Sequence, residues 1–532
     1  MSNRLYYGDN LNILREHIAD ESVDLIYLDP PFNSKRDYNL LFKTPKGHES
    51  DAQITAFEDT WHWGPEAERE FREIVKGANT DVAEMMQALR KFLGENDMMA
   101  YLTMMANRLL EMRRVLKQTG ALYLHCDPTA SHYLKIVLDG VFGFGGFRNE
   151  IIWKRTSSHG NVSRGYGDVT DSILYFTKSD KFTWNQVYVP YSDEHIAKKF
   201  TFVESDGRRY TTSDLRNPGV RPNLHYPYKA RNGVTYHPHP NGWAVSKEKM
   251  AEYDRRGLLY FPKEPEGRLR LKRYLDEAPG ERVQNLWHDI SPINSQAQER
   301  LGFPTQKPLA LLERIIQAST NENDIVLDPF CGCGTAVHAA QKLRRQWIGI
   351  DITHLAVSLI EKRLKKAFPY LEPVTPGTKK AAQIAANSFE VIGVPRDFDA
   401  ARDLATRDPH LFQLWACTLV GAQPYRGGKR GADKGIDGLI FPEVGGKTEK
   451  IIVSVKAGEN IGAAMVRDLR GTMEREKAAI GLFITLTNPT RDMVKEAAAA
   501  GFYEPPRKFG DRTFPRLQIL TVAGLLAERE RA

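Results

Sequence analysis

The chain has 532 residues, 41% of them hydrophobic and 27% charged, a balance that is typical of globular proteins and excludes wholesale disorder. Lys and Arg outnumber Asp and Glu by 74 to 67, so the formal charge of +7 permits a polyanionic partner without requiring one. No apolar stretch approaches the length of a membrane-spanning helix, and the first residues lack the apolar core of a secretory signal. The four cysteines are too few for a disulfide framework, which predicts a reducing, cytoplasmic location.

The N-terminal third predicts alternating helices and short buried strands. Residues 10–18 are helix-like, and the apolar run 23–28 ends at Asp29-Pro30-Pro31-Phe32. Because two prolines cannot continue a central strand, this run predicts a buried strand that ends in a rigid turn. Residues 98–116 have helical spacing, and 120–127 predict another strand that ends in polar residues.

The remainder of the chain changes character twice. Residues 155–289 interleave basic, aromatic and turn residues without a long helical pattern. The next elements are an amphipathic helix at 308–319, a strand at 325–328, a helix at 336–343 and a strand at 347–351. A strand–turn–helix–strand run predicts a parallel sheet. Three prolines between 369 and 378 mark a linker, and a second α/β pattern begins near residue 389.

A glycine-rich turn, residues 327–335 (LDPFCGCGT), lies where the strand feeds the helix. Glycines at such a turn let the backbone approach a ligand closely, and Asp351 ends the next strand, where a carboxylate commonly binds a ribose hydroxyl. The pattern favours a nucleotide-like ligand, with a tight turn without ligand as the alternative. Zinc binding by Cys331 and Cys333 is disfavoured, because only His338 is close enough in sequence to add a ligand.

The turn at Asp29-Pro30-Pro31-Phe32 holds an acid and an aromatic ring at the edge where open α/β sheets bind ligands. These groups fit methylation of an exocyclic amine on a nucleic-acid base. Such an amine is a poor nucleophile because its lone pair is delocalised into the ring. A carboxylate and a backbone carbonyl that accept its two N–H bonds favour the attacking form, and an aromatic ring stacks on the extruded base. A purely structural turn is the alternative.

Together and in this order, Asp29–Phe32 and Phe330–Gly334 resemble the amino-group DNA methyltransferases that use S-adenosylmethionine. The order, with a long variable segment between the motifs, is similar to the β class, which includes many adenine-N6 enzymes and the modification subunits of type III restriction systems. The other matching segments are 7–10 (a short acidic motif), 305–308 (a segment closing over the cofactor's methionine end) and 123–127, 150–154 and 172–178 (strands of the base pocket). The resemblance covers residues 1–155 and 290–366.

The resemblance implies a role for each matching residue. The implied catalytic turn is Asp29, which accepts from the target amine, Pro30, which offers its carbonyl, Pro31, and Phe32, which stacks on the flipped base. The implied cofactor-binding residues are Asp328, Phe330, Cys331, Gly332, Gly334, Thr335, Asp351, Lys307 and Pro308. Asp9 is implied to line the base pocket. Aspartate at position 29 favours adenine N6, and cytosine N4 stays open because it presents the same exocyclic amine.

Residues 155–289 occupy the position at which this class carries target recognition. Basic side chains there neutralise phosphates, and arginines can read guanine edges. Residues 268–273 alternate like an exposed edge strand and are the first choice for contact with the DNA backbone. The predicted DNA-binding residues are Arg155, Arg268, Arg270, Lys272 and Arg273. A solvated basic face is the alternative for any one of them.

Residues 434–440 and 451–456 predict a hairpin with Asp437 on one strand and Lys456 on the next. The pair resembles the Mrr-like branch of the PD-(D/E)xK nucleases. This implies that Asp437 binds a divalent metal such as Mg²⁺ and that Lys456 positions the attacking water. Ser454 stands where that branch carries an acidic or glutamine residue, so metal binding and cleavage stay open. A nuclease-like DNA-binding domain is the competing interpretation.

The predicted fold class is α/β. It comprises a Rossmann-like methyltransferase sheet (1–154 and 290–368), an inserted target-recognition domain (155–289), a linker (369–388) and a C-terminal restriction-endonuclease-like domain (389–532). The predicted function is site-specific methylation of adenine N6 in double-stranded DNA from S-adenosylmethionine, in restriction-modification or defence. The open alternatives are cytosine-N4 methylation, a methyltransferase that also cleaves DNA with Mg²⁺, and a DNA-binding module with an inactive nuclease fold. Double-stranded DNA is the predicted partner, a homodimer and a restriction subunit stay open, and no membrane partner is expected.

Overall fold

A computed structural model describes the chain at residues 3–31, 37–43, 49–58, 61–156, 165–264, 267–294, 297–301, 305–374, 388–425, 435–444, 447–458, 460–505, 513–527 and 530. The chain divides into two compact units, one of Met1–Asn185 with Asn285–Ala532 and one of Gln186–Gln284. Within the described ranges, no helix combines the length and the apolar character needed to cross a membrane.

Among the described residues, the first part of the larger unit contains seven strands and five helices, and one of these strands directly precedes Asp29. Its first strands are β1 (Asn3–Tyr7), β2 (Val23–Leu28), β3 (Asp37–Lys43), β4 (Glu49–Glu58), β5 (Leu116–Cys126), β6 (Phe147–Lys154) and β7 (Thr170–Thr177). Its first helices are α1 (Asn10–His17), α2 (Pro65–Lys76), α3 (Thr80–Leu93), α4 (Asp97–Val115) and α5 (Ser131–Phe142), with a 3₁₀ turn at Phe144–Gly146. All six residues of β2 are buried, as expected for a parallel strand covered on both faces.

The smaller unit is built from short strands around its own apolar cluster. Its elements are β8 (Tyr188–Val189), α6 (Asp193–Lys199), β9 (Phe202–Val203), β10 (Arg209–Asp214), β11 (Tyr228–Lys229), β12 (Thr235–Tyr236), α7 (Lys247–Arg255), β13 (Leu259–Tyr260), β14 (Arg270–Tyr274) and β15 (Glu281–Arg282), with 3₁₀ turns at Pro222–Leu224 and Leu275–Glu277. Trp243, Met250 and Leu271 belong to the buried cluster that holds the unit together.

The smaller unit corrects one expectation. Residues 268–273 were predicted to form an exposed edge strand, but β14 lies inside the sheet order β13-β14-β10-β9 and pairs on both sides. The prediction was wrong because the alternation of basic and apolar residues also fits an inner antiparallel strand with one solvated face. Leu269 and Leu271 are buried, whereas Arg268, Arg270 and Arg273 are exposed.

The larger unit resumes after the smaller one with β16 (Leu286–Trp287), α8 (Leu309–Ser319), β17 (Ile325–Asp328), α9 (Thr335–Lys342), β18 (Gln346–Asp351), α10 (His354–Ala367), β19 (Glu372–Val374) and β20 (Ser388–Ile392). The main sheet has ten strands in the order β16-β6-β7-β5-β2-β17-β18-β1-β20-β19. The strands from β5 to β19 in that order pair in parallel, and β7 pairs antiparallel to both β5 and β6.

The chain reverses its direction of travel through the sheet between β2 and β17. Leu25 and Ile26 pair with Val326 and Leu327, while β2 continues to β5 on one side and β17 continues to β18 on the other. In open α/β sheets, ligands bind outside the carboxyl ends of the strands at such a switch point. The order of strands therefore selects the crevice between the ends of β2 and β17.

Two outer strands extend the main sheet beyond β1. β20 lies between β1 and β19. Val391 of β20 pairs with Leu5 of β1, and Phe389 of β20 pairs with Pro373 of β19. Proline is tolerated on an outermost strand because its missing N–H costs no ladder hydrogen bond when it faces away from the sheet. The sequence had placed β19 in the linker and β20 at its junction with the C-terminal domain, and the structure pairs both with the main sheet.

The C-terminal part contains α11 (Phe398–Arg407), α12 (Pro409–Leu419), β21 (Gln423–Pro424), β22 (Gly438–Ile440), β23 (Glu443–Val444), β24 (Lys447–Thr448), β25 (Ile451–Lys456), α13 (Ala463–Glu476), β26 (Ile480–Thr485), α14 (Arg491–Ala498), β27 (Phe502–Tyr503), β28 (Phe514–Pro515), β29 (Leu517–Thr521) and α15 (Val522–Leu526). Its five-stranded sheet has the order β21-β22-β25-β26-β29. β22 pairs antiparallel with β25, and β25, β26 and β29 are mutually parallel. The predicted α/β fold class is confirmed for both sheets.

Candidate active site

Three carboxylates meet at the carboxyl ends of adjacent strands. Asp29 follows β2, Asp328 ends β17, and Asp351 ends β18. Pro30 is buried and Pro31 half-buried behind Asp29, whereas Phe32 lies outside the described residues. The structure thus brings the predicted catalytic acid and the predicted cofactor turn to one edge of the sheet.

The predicted catalytic acid, Asp29, is paired with a lysine from a distant segment. Lys307 Nζ lies 2.5 Å from Asp29 Oδ2, and their side chains are only 10% and 15% exposed. Pro308 is buried and occupies the position just before α8, and a proline restricts the backbone of the residue that precedes it. The family resemblance implies a cofactor role for Lys307 and gives no sign of this pair, because nothing in the local sequence reveals a contact between residues 278 positions apart.

The glycine-rich turn has the backbone shape that its composition predicts. Gly332 and Gly334 have φ angles of 48° and 74°, in the left-handed region that favours glycine. A Cβ at Gly334 would lie 2.7 Å from Ile360 Cγ1 on α10, so the turn and this helix pack too closely for a larger residue. The amide of Cys331, a buried thiol, donates to the Ile350 carbonyl and holds the turn against β18.

Asp351 organises the turn from the neighbouring strand. Its Oδ2 accepts from the Gly332 amide at 2.9 Å, and its Oδ1 accepts from the amide and hydroxyl of Thr353. Burial raises the pKa of Asp351, and these donors oppose the rise. A carboxylate offers about four lone-pair sites, so these three bonds leave it able to accept from a ligand hydroxyl.

Asp328 has a structural contact within the same turn. Its side chain is buried and accepts from the Phe330 amide at 3.1 Å, which closes the first step of the turn. Burial raises the pKa of Asp328 well above its usual value, and the nearby charges of Asp29 and Asp351 raise it further. Phe330 itself is half-buried and packs on the main core cluster.

The end of the turn is fixed by α10. Arg363 donates from Nη1 to the Cys333 carbonyl at 2.9 Å and to the Thr335 hydroxyl at 3.1 Å, and from Nε to His338 Nδ1 at 3.1 Å. Burial lowers the pKa of His338 to about 4, and the charges of Arg363 and Lys342 act in the same direction. His338 is therefore a neutral acceptor that helps to hold Arg363 against the turn.

A second network ties the segment after β1 to the glycine-rich turn. Asn10 donates to the Pro329 carbonyl at 2.8 Å and accepts from Arg108 Nε at 2.6 Å. Arg108 also donates to Asp9 Oδ2 at 2.9 Å, while Asp9 Oδ1 caps α1 by accepting from the Leu11 amide. Asp9, which was predicted to line the base pocket, is thus anchored at both carboxylate oxygens.

A buried polar chain lies beside the catalytic turn. The Tyr27 hydroxyl lies 3.0 Å from His125 Nδ1, and His125 Nε2 lies 3.0 Å from Asp171 Oδ2. Asp171 Oδ1 lies 3.1 Å from Arg155 Nε. Burial opposes ionisation of Asp171, but the hydrogen bond and charge of His125 and the charges of Lys307 and Arg155 lower its pKa. Arg155, predicted to bind DNA, therefore has a carboxylate partner at the end of this chain.

The other predicted DNA-binding residues lie in the smaller unit. Lys272 pairs with Glu204. Arg270 donates to the Thr212 carbonyl at 3.3 Å and Arg273 to the Ser213 hydroxyl at 3.4 Å, both across the β10–β14 pairing. These contacts stabilise the small sheet, and the role of these residues in binding DNA stays a prediction.

The C-terminal pair is brought together as the hairpin predicts. Asp437 Oδ2 accepts from the Val455 amide at 2.7 Å and the Ser454 hydroxyl at 3.3 Å, and Lys456 Nζ lies 3.9 Å away. Among the residues that the structure describes, no cluster of three or more His, Cys, Asp or Glu side chains could hold a metal ion. One carboxylate and one hydroxyl are a poor donor set for Mg²⁺, which is held mainly by carboxylates and phosphates.

Family comparisons agree with this geometry. Residues 23–362 match the family model described as DNA methylase, and this range includes both the Asp29–Phe32 motif and the glycine-rich turn. The chain therefore belongs to the N6/N4 DNA methylase family. Residues 404–502 match the Mrr-type model described as restriction endonuclease, so an Mrr-like domain follows the methylase part.

The individual relatives are methyltransferases and a subunit of a restriction-modification enzyme. The type II methyltransferase M.EcaI of Enterobacter cloacae is 32% identical over 267 residues, covering 50% of this chain and 57% of that protein. The type III StyLTI Mod subunit of Salmonella typhimurium is 28% identical over 357 residues, covering 64% and 50%. The chain thus spans about half the length of these two relatives. The solved cytosine-N4-specific PvuII DNA methyltransferase is 13% identical with a TM-score of 0.34, covering 73% of this chain and 95% of that structure.

Proposed function

We propose that this chain transfers a methyl group from S-adenosylmethionine to the exocyclic N6 of an adenine extruded from double-stranded DNA. The observation that carries the proposal is the position of Asp29 at the end of β2, directly beside the glycine-rich turn at the end of β17. Membership of the N6/N4 DNA methylase family supports the reaction class. Aspartate at position 29 favours adenine, with cytosine N4 as the alternative target in the same pocket.

The residues present fit the cofactor. Gly332 and Gly334 have backbone angles in the left-handed region and no side chain, so a ligand can approach the backbone of the turn closely. Asp351 can still accept a hydrogen bond from a ribose hydroxyl. The cofactor supplies an electrophilic methyl group on a sulfonium. Asp29 and the Pro30 carbonyl accept the two N–H bonds of the target amine and orient its lone pair. Catalysis then depends on positioning and on fixed charges, and the side chains of Lys307 and Asp29 are only 10% and 15% exposed.

The partners and setting follow from the same proposal. Double-stranded DNA is the substrate, with Phe32 stacking on the flipped base, and the exposed arginines of the smaller unit contact its backbone. The proposed setting is a restriction-modification system in the cytosol, and the relative named as the Mod subunit of a restriction-modification enzyme supports the first part of this proposal. A homodimer and a separate restriction subunit are both compatible with the sequence.

The test is base-resolved methylation. Purified protein is incubated with S-adenosylmethionine and unmethylated genomic DNA without Mg²⁺, and the digested nucleosides are identified by mass spectrometry. We expect N6-methyladenine from the wild type and none from Asp29→Ala, because the alanine cannot accept from the amine. Asp180→Ala, which removes a carboxylate that is 90% exposed, is the matched control and should keep full activity. Detection of N4-methylcytosine instead would mean that the target base is cytosine. Normal methyl transfer by Asp29→Ala would refute the catalytic role of Asp29.

A methyltransferase that also cleaves DNA is the second candidate. The Asp437–Lys456 contact and the Mrr-type match favour it, whereas Ser454 in place of a carboxylate weakens it. A parallel reaction with Mg²⁺ decides between the candidates. Fragmentation of the DNA only when Mg²⁺ is present would support the bifunctional enzyme. Intact DNA under these conditions would favour the interpretation that the Mrr-like domain binds DNA without cleaving it.

A further inference from the structure

Lys307 lies between the two halves of the proposed site. Its ammonium contacts Asp29 on one side. β2, which ends beside Asp29, pairs with β17, which ends at the glycine-rich turn. The charge of Lys307 also opposes the rise that burial causes in the pKa of Asp328 and Cys333 in that turn. A short shift of this flexible side chain would therefore move its charge from the catalytic acid toward the cofactor turn.

The pair with Lys307 conflicts with the proposed role of Asp29. A carboxylate that already accepts a close charge-assisted hydrogen bond from an ammonium is neutralised and is a weaker acceptor for an amine. Separating two buried charges is strongly unfavourable unless another anion replaces the lost partner. The proposed cofactor carries such an anion, the carboxylate of its methionine part.

We propose that Lys307 is a charge switch, which pairs with Asp29 in the cofactor-free protein and is taken over by the carboxylate of the bound cofactor, freeing Asp29 for the target amine. This inference rests on the proposed function. Under this proposal Asp29 can accept from the target base only after the cofactor has bound. In DNA-bound protein without cofactor, the charge of Asp29 would still be compensated by Lys307.

The switch is tested by binding alone, without DNA or turnover. S-adenosylhomocysteine carries the methionine carboxylate, and 5′-methylthioadenosine shares the adenosine thioether but lacks that carboxylate. Affinities of both are measured by isothermal titration calorimetry. Asp29→Asn removes the competing anion, so S-adenosylhomocysteine should bind roughly tenfold more tightly. Lys307→Met removes the cation that binds the carboxylate of the ligand, so S-adenosylhomocysteine should bind roughly tenfold more weakly. Binding of 5′-methylthioadenosine should not change in either variant, which also shows that the pocket is intact.

The gain from Asp29→Asn must depend on Lys307. In a double-mutant cycle, the gain should shrink to less than about twofold when Lys307→Met is already present. A gain of equal size in both backgrounds would reflect simple repulsion between Asp29 and the ligand, and would overturn the switch. Unchanged or weaker binding by Asp29→Asn would also overturn it, since Lys307 would then be a fixed clamp on Asp29.

A second lysine–aspartate pair supplies the matched control. Lys117 Nζ lies 2.7 Å from Asp24 at the start of the same strand, β2, far from the cofactor turn. Asp24→Asn and Lys117→Met should leave both affinities unchanged, and an equal effect there would overturn the specific role of Lys307. If the wild type binds neither ligand, the proposed function fails and the switch fails with it, whereas normal wild-type binding without the Asp29→Asn gain refutes the switch alone.

Discussion

Asp171 shows how one buried residue can hold the proposed catalytic turn in place. Its carboxylate is 3% exposed and joins the chain that runs from Tyr27 through His125 to Arg155. Tyr27 lies on β2, two residues before Asp29. The orientation of this strand end therefore depends on the hydrogen bond between Tyr27 and His125 on β5, and His125 is held in turn by Asp171 on β7. A histidine within the apolar strand 120–127 is the one sequence signal that could have indicated such a partner.

Replacing Asp171 with asparagine should destabilise the larger unit. The change leaves Arg155 without its carboxylate and weakens the bond to His125, and a disrupted buried charge-assisted bond costs about 1–3 kcal/mol. The measurement is the free energy of unfolding in urea. Asp180→Asn, which breaks the surface pair with Arg148, is the control and should change it by less than about 0.5 kcal/mol. Equal effects of the two substitutions would contradict the structural role given to the buried chain.

At the scale of elements, the contact between α9 and α10 carries a pH dependence. His338 on α9 accepts from Arg363 on α10, and its pKa is lowered to about 4 by burial and by the nearby cations Arg363 and Lys342. The unfolded chain, in which this histidine has a pKa near 6.5, therefore binds more protons between pH 6.5 and 4. Stability from this group is complete above pH 6.5 and is lost as the pH falls toward 4.

This dependence predicts the behaviour of His338→Asn, which keeps an acceptor but cannot titrate. The wild type should lose about 1–2 kcal/mol more than the variant in free energy of unfolding between pH 7 and pH 5. Urea denaturation at both pH values measures the difference. His62→Asn, at a histidine that is 63% exposed, is the control and should follow the wild type. A variant with the same loss as the wild type would show that His338 does not titrate in this range.

The elements that sequence predicts well here are those with strong local signals. The apolar run of β2 closed by two prolines, the glycine turn before α9 and the amphipathic helix α8 all appear near their predicted bounds. What local pattern does not encode is pairing between distant segments. The alternation in β14 is the same for an edge strand and an inner strand, and the contacts of Asp29 with Lys307 and of Asn10 with Pro329 join residues far apart in sequence.

At the scale of the molecule, the main sheet extends beyond the residues that resemble a methyltransferase, because β20 and β19 lie outside β1 in the strand order. β20 pairs along β1 from Asn3 to Tyr6, and the Tyr7 hydroxyl donates to the Leu411 carbonyl on α12. The segment after α10 therefore covers one edge of the main sheet. A bare parallel edge strand exposes unpaired N–H and C=O groups and promotes self-association.

Two fragments test this protection directly. Residues 1–395 keep β19 and β20, residues 1–368 lack them, and both lack α11 to α15, so the fragments differ only in the outer strands and their connections. We expect the amides of β1 to exchange with solvent at least about tenfold faster in the shorter fragment, because local opening no longer requires breaking the pairs with β20. The amides of β2, which lie between β5 and β17 in both fragments, are the internal control and should be equally protected. Equal exchange of β1 in the two fragments would mean that β20 contributes no stability to the main sheet, and the pairing of Leu5 with Val391 would then be a contact without energetic weight.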